Sequence, residues 1–420
     1  MTAKQRAVGR WLAIIGAAAA LAITLTPSGA TSLRPAAIRS TLDLRDFILN
    51  LALLAPVGAG LRLRGWRPAA ILGCVLALSA GIELLQFLLP IGRDASVLDV
   101  VANTAGAGMA AALTPGISRA LSVSATGAGR LAAALLVGWG AQALMTAWAL
   151  QRDVPATAQY YGQWAHVFNS TVPLTGVVKA FTIQGRLVPD DAVANTDSLR
   201  AALAADTVIL QVAVDDLGPA AAGGRAQIAG ATNGEGDLVA GFERDACRIR
   251  FRMRTRGERL GLRPLSVVVP TSCRLEAGAT TIDGRATRAS LAMAASWNGE
   301  QRRATLALAP SLGWRLFVPL RWRAGWWDLL GAIAWLMLWG TPLAFWLQTA
   351  WPQKLARAAL VYVIGLFGVA ALVALVQGLA VANPGDIVGI ALGWLGGAAI
   401  RAAASVSNTP AMHQQNARNT

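Results

Sequence analysis

Eight apolar runs constrain this chain more than any other feature. Runs of about 17–25 such residues are long enough to cross a bilayer as helices. The clear ones are Trp11–Leu25, Pro68–Leu89, Gly129–Leu150, Leu329–Leu347 and Ala358–Leu379. Phe47–Leu61, Val97–Leu113 and Ile387–Ala404 are shorter or interrupted. Five precede one long polar segment and three follow it. Charged residues make up only 14% of the 420, against about a quarter in a soluble chain. In lipid every backbone polar group needs an internal partner, so the runs are read as helices. The first has a basic start, an apolar middle and a small-residue end, a pattern that a cleaved signal peptide shares.

Short-loop Lys and Arg set orientation. Lys4, Arg6 and Arg10 open on the side that then receives Arg62, Arg64, Arg67, Arg119, Arg130, Lys354 and Arg357. Arg34, Arg39, Arg45, Arg93, Arg321 and Arg323 fall on the other side, so the bias is modest. An even number of spans puts both termini in the cytoplasm and Gln151–Leu320 outside a bacterial inner membrane. Flanking arginines of this kind account for the net charge of +15 through contact with anionic lipid. No aromatic-interleaved basic stretch points to nucleic acid; membrane lipid is the expected partner. With only His166 and His413, histidine metal sites and Ser-His triads are hard to assemble. No catalytic residue, metal or cofactor is expected.

The long polar segment changes period. "TGVVKAFTI", "TVILQVAVDD", "CRIRFRMRT", "LSVVVP", "ASLAMAASW" and "RATLALAP" read as strands between Gly, Pro, Asn and Asp turns. In "CRIRFRMR" arginines alternate with Ile249, Phe251 and Met253, predicting one packed and one wet face. Such strands over about 150 residues suggest a two-sheet sandwich. Cys247 and Cys273 both lie in this segment, whereas Cys74 sits in an apolar run. A bridge between the first two suits an oxidising exterior and adds roughly 3 kcal/mol if unstrained. Trp322, Trp326 and Trp327 read as an interfacial belt, and "SRALSVSATGAG", Ser118–Gly129, reads as a linker.

Polar residues inside the early spans are the other informative feature, because ionisable groups in lipid are costly unless paired. Asp46 and Asn50 stand four apart, with Pro56 following in the same span to favour a kink. Ser79, Glu83 and Gln86 share a second face, and Asp99 and Asn103 a third. Gly106 and Ala110 then form a small-residue surface suited to close helix packing. Arg93, in the link "PIGRDASV", is the nearest cation to Glu83 and Asp99. One reading is a closed network that neutralises itself around Arg93. A second is a cleft meeting a lipid headgroup or carbohydrate, and a third is a proton or ion path.

The order of Asn50 and Pro56, then "IELLQ", an arginine, and "DVVANTAG" resembles the VanZ-like family of bacterial membrane proteins. The resemblance covers about residues 10–115 and rests on Glu83, Gln86, Arg93, Asp99, Asn103 and Gly106; Ala110 replaces a second glycine. It implies a polytopic cell-envelope protein, the type member being associated with tolerance to the glycopeptide teicoplanin. It carries no established catalytic residues. "NGEGDLVAGFERDACRIRFRMRT" is similar to the approach to a strand in concanavalin/laminin-G jelly rolls, which often bind glycans, sometimes through calcium. Asp215, Asp216, Asp237, Glu243 and Asp245 lack a calcium-loop spacing and read as surface solvation.

The expectation is a multi-domain membrane protein: an α-helical transmembrane bundle of about eight spans with an inserted all-β, jelly-roll-like sandwich. Residues 1–116 form a VanZ-like region, 117–150 a linker and fifth span, and 151–320 an extracytoplasmic sandwich. Residues 321–404 form three spans with few internal polar groups that re-anchor the sandwich, and 405–420 a disordered tail. Functionally this is a non-enzymatic envelope protein whose exported module binds envelope glycan or a partner. The alternative is a membrane-embedded enzyme or transporter for a lipid-linked precursor, with Glu83 or Asp99 as acid/base and Arg93 as anion clamp.

Overall fold

The computed structural model describes residues 3–25, 44–89, 95–120, 123–165, 167, 173–174, 176–215, 217, 225–245, 247–270, 279–317 and 326–406. Arg93, His166, Asp216, Cys273, Trp322, His413 and the tail from residue 407 on lie outside them. For Trp326 and Trp327 only the backbone, at the start of a helix, is described. Among the described residues eight helices are long and apolar enough to cross a membrane. The chain divides into two compact units, Met1–Val123 and Ser124–Thr420.

The first unit is helical: α1 (Ala3–Leu25), α2 (Leu44–Leu53), α3 (Ala55–Leu63), α4 (Pro68–Leu88) and α5 (Val97–Ala120). α2 and α3 are two halves of one span, Arg45–Leu63. The break falls at Leu54 because Pro56 has no N–H to donate one turn back and its ring crowds that carbonyl. Small residues bring the backbones together. A Cβ on Gly58 would strike the Ala107 carbonyl, and one on Gly106 the Leu51 carbonyl. Leu54, Val57, Ile71, Val75, Ala107 and Ala111 fill the space between helices. α5 runs on through Ala120 and the next helix starts at Ala125, so most of the expected linker 118–129 is helical. Ser124 caps that start, its hydroxyl accepting from Gly127 N–H at 3.3 Å.

The second unit opens with α6 (Ala125–Leu150) and continues, among the described residues, into eleven strands. These are β1 (Tyr160–Trp164), β2 (Val178–Ile183), β3 (Arg186–Leu187), β4 (Val208–Val214), β5 (Arg225–Asn233) and β6 (Leu238–Asp245). They continue with β7 (Arg248–Met253), β8 (Ser266–Pro270), β9 (Thr280–Ala286), β10 (Ser290–Trp297) and β11 (Glu300–Ala307). A short helix, α7 (Thr196–Ala204), precedes β4. The strands form two antiparallel sheets, ordered β1-β5-β6-β7-β8 and β11-β10-β9-β4-β2-β3. The chain passes between sheets after β1, β4 and β8, and the strands between those points stay together. Phe242 and Phe251 pair across β6 and β7, and Gly284 of β9 lets the opposite sheet approach their rings.

The chain then forms α8 (Gly313–Phe317), α9 (Trp326–Ala350), α10 (Leu355–Val363), α11 (Val369–Gln377) and α12 (Pro384–Val406). α10 and α11 are one span joined by a π-helical turn, Ile364–Gly368. Trp139 Nε1 donates to the Leu366 carbonyl inside that turn at 3.0 Å. α9 and α12 pack along each other because Gly385, Gly389, Gly393 and Gly397 repeat every four residues on the contact face.

The sandwich is not separate from these helices. Ala143, Ala147 and Leu150 of α6, and Val373, Ala374 and Leu379 at the end of α11, belong to one core with Phe181, Phe242, Phe251 and Met293. α6, at about 1.5 Å per residue, outruns a 30 Å hydrocarbon layer by roughly two turns, which is the part that enters this core. Arg152 pairs as a β-bridge with Thr255 directly after α6. Gln151 donates to Gln377 at 2.5 Å, and Ala380 N–H to the Leu308 carbonyl at 2.9 Å.

Candidate functional site

In the first unit, Ser79, Glu83 and Gln86 line one face of α4 and all three are buried. Each reaches a different segment. Asn103 Nδ2, on α5, donates to the Ser79 hydroxyl at 2.9 Å. Gln86 Nε2 donates to the Thr24 carbonyl at 3.2 Å. Glu83 Oε2 accepts from the Ser96 N–H at 2.7 Å. Thr24 is in the last turn of α1 and Ser96 stands just before α5. The last carbonyls and first amides of a helix have no intrahelical partner, and a carboxylate suits the positive N-terminal end. Gln86 therefore closes the end of α1, and Glu83 the start of α5.

The remaining residues of the expected set are more dispersed. Asp46 pairs with its neighbour Arg45 at 2.7 Å, its side chain still 46% exposed. Asn50 is half-buried on α2, and its side chain makes no hydrogen bond among the described residues. Asp99 is half-buried one turn before Asn103. Arg93, the expected shared cation, lies outside the described residues. Asn103 is buried with its Oδ1 unpartnered among the described residues. The roles of Thr24 and Ser96 belong to backbone atoms, which no side-chain pattern in the sequence reveals.

A second polar set sits in the other unit, where the last spans were read as having few internal polar groups. Asp386, in the first turn of α12, is buried. Its Oδ2 accepts from the Ser311 hydroxyl and from the Asn383 N–H, both at 2.9 Å. Asn383 Nδ2 donates to the same hydroxyl at 3.0 Å. The triad ties α12 to the turn that leaves the sandwich.

The sandwich holds a third set, and here the expected wet face of β7 is corrected. The side chains of Arg250, Arg252 and Arg254 are only 17%, 15% and 16% exposed. Acids from other segments cover them. Glu258 accepts from Arg252 at 2.6 Å, Asp245 pairs with Arg250 at 3.5 Å, and Asp237 with Arg254 at 2.5 Å. Glu243, read as solvation, is buried between Arg225 at 3.7 Å and Arg252 at 3.9 Å. Asp215 pairs with Lys179 at 2.7 Å on the surface. Burial raises the Glu258 pKa despite Arg252, and burial lowers that of Arg250. Among the described residues no three His, Cys, Asp or Glu gather as metal ligands. Cys247 is disulfide-bonded, Cys74 is free and exposed, and Cys273 lies outside the described residues.

Asp153, which no sequence pattern marked, is the least solvent-exposed of these acids. Burial opposes its ionisation, but hydrogen bonds and charge from Arg259 and Arg254 outweigh it and hold the carboxyl below its ordinary range.

Residues 10–118 match a family model described as VanZ/LLP1, so the α4 face and its partners lie within a VanZ-type domain. The match ends before α6 and leaves the sandwich and the last spans outside it. No curated protein and no solved structure matches the chain.

Proposed function

We propose that this chain is a non-enzymatic envelope protein, in which a VanZ-type helical domain accompanies a sandwich held at the outer face of a bacterial inner membrane. One observation carries the non-enzymatic part: three side chains on a single face of α4 bond to α1, to the start of α5 and to mid-α5. Interhelical hydrogen bonds in lipid average about 0.6 kcal/mol, so three fix helix register at roughly 2 kcal/mol. An acid engaged by the amide at a helix start is poorly placed to move substrate protons. The resemblance to the VanZ-like family then suggests a part in glycopeptide tolerance of the teicoplanin type, and the two-sheet module suggests recognition of envelope glycan or a partner protein.

The test compares Glu83→Gln with Glu83→Ala in cells, reading protein level and teicoplanin susceptibility. The amide oxygen of Gln can still accept from Ser96, so Glu83→Gln should leave both unchanged, while Glu83→Ala lowers protein level. Loss of tolerance in Glu83→Gln at normal protein level would instead select the embedded enzyme or transporter. Glycan recognition is tested with the full chain in nanodiscs against peptidoglycan and envelope polysaccharide. Absence of binding to either removes the lectin-like reading and leaves a protein partner.

A further inference from the structure

A cavity of about 490 Å³ opens beside the point where the chain leaves α6, within the range of small-molecule sites. Three segments wall it: residues 153–158, the β5–β6 turn with Asn233 and Glu235, and the guanidinium groups of Arg254 and Arg259. Asn233 shapes the turn, its Oδ1 accepting from the N–H groups of Glu235 and Asp237 at 3.2 and 2.8 Å.

Asp153 fixes the two cations side by side. Its Oδ1 accepts from Arg259 Nη2 at 2.5 Å, and its Oδ2 from Arg259 Nε at 2.8 Å and Arg254 Nε at 3.2 Å. Arg254 Nη1 goes to Asp237. Guanidinium carries five N–H donors, so both arginines keep N–H groups that no described residue takes up. Arg259 is 58% exposed and lines the cavity, with its Nε and Nη2 held by Asp153. This is a preorganised fork for a phosphodiester.

Charge narrows the ligand further. Against the two arginines stand Asp153, Asp237 and Glu235, a balance of 2 − 3 = −1. A plain anion gains little there, whereas a zwitterion can set its phosphate on the arginines and its ammonium toward Glu235, whose carboxylate has no partner among the described residues. None of the lining residues is aromatic, which disfavours a stacked sugar. Position narrows it again: Asp153 is three residues beyond Leu150, and with the two turns of α6 that enter the sandwich core, at most about 20 Å of chain separates the cavity from the hydrocarbon layer.

We infer that this cavity binds a phosphoethanolamine group, presented as the headgroup of a membrane lipid. The inference goes beyond envelope recognition and does not depend on it.

The full chain in nanodiscs of phosphatidylethanolamine, phosphatidylcholine or phosphatidylglycerol provides the test, with retained lipid counted by native mass spectrometry. Wild type should retain phosphatidylethanolamine over phosphatidylglycerol, which lacks the cation, and over phosphatidylcholine, whose quaternary nitrogen has no N–H to donate to Glu235. Arg259→Lys keeps a charge for Asp153 but loses the fork, and should weaken retention by about tenfold. Glu235→Gln, on an exposed turn, should erase the preference over phosphatidylcholine and phosphatidylglycerol without altering thermal stability. Soluble glycerophosphoethanolamine is the second arm: competition at millimolar levels supports the same chemistry, and competition at micromolar levels would overturn the membrane source. Equal retention of all three lipids by wild type, or no change in either variant, would overturn the inference.

Discussion

The two units solve the same problem, holding apolar rods together, with different materials. In the first, backbones meet at Gly58 and Gly106, and polar side chains in the last turns of α4 complete the ends of neighbouring helices. In the second, Trp139, Trp339, Tyr362 and Trp394 pack the interior, glycines recur along α12, and polar groups concentrate where helices meet the sandwich. The difference teaches where each unit takes its specificity. Hydrocarbon offers no hydrophobic drive between helices, so the first unit needs directional bonds. The second borrows a water-driven core from its β-sheets.

The largest effect expected from that contrast is on excision. Residues 151–320 expressed alone lose Ala143, Ala147, Leu150, Val373, Ala374 and Leu379 from their core, on the order of 10 kcal/mol in all. That equals the stability of a whole domain, so near-UV circular dichroism should show no fixed tertiary structure. A cooperative thermal transition in the fragment would break the comparison. Next is Asp153→Ala, which removes the carboxylate shared by Arg254 and Arg259; Arg254 keeps Asp237 and Arg259 is exposed, so the cost should be about 1–3 kcal/mol. The pH dependence follows from the same group. Its folded pKa is depressed, so its stabilisation is full above about pH 4, the unfolded value. It is lost as pH falls through the lower folded value. Denaturation of wild type between pH 7 and 2, with Asp153→Asn as control, measures it.

Smaller effects sharpen the contrast within the membrane. Gly106→Ala drives a Cβ into the Leu51 carbonyl and should cost about 1–3 kcal/mol. Gly81→Ala, with nothing within 4 Å, should be neutral or stabilising by up to about 1 kcal/mol. Steric-trap unfolding of both in bicelles reads the difference. Smallest is Ser79→Ala, which removes one interhelical bond at about 0.6 kcal/mol and should shift the melting temperature by only a degree or two.

Much of this was legible from residue order. Apolar length identifies the spans, and Ser79, Glu83 and Gln86 at spacings of four and three announce a buried face. Strands with one wet side, such as β4, show the alternation expected of them. β5 does not, because nearly every residue in it is buried; with both faces covered, period two vanishes, and its Gly and Ala content hides it further. β6 fails for the same reason. α7 is too short for a periodic pattern and depends on Asn195, whose side chain accepts from Ser198 N–H at 2.8 Å. The arginines of β7 and Arg254 after it misled, because their partners Asp245, Glu258, Asp237 and Asp153 come from segments that alternation within one strand cannot foresee. Gly385, Gly389, Gly393 and Gly397 were visible as a repeat, but only packing against α9 gives the repeat meaning.

The shared core also imposes an order of events on synthesis. Val373, Ala374 and Leu379 leave the ribosome after every strand has been made, so the sandwich must wait with an open apolar side until α11 arrives. At about 5–20 residues per second, more than 60 residues separate β11 from Leu379, a gap of several seconds. During that interval the newborn sheets are exposed to aggregation or chaperone capture, and a stalled or truncated transcript should yield a product degraded rather than half-assembled.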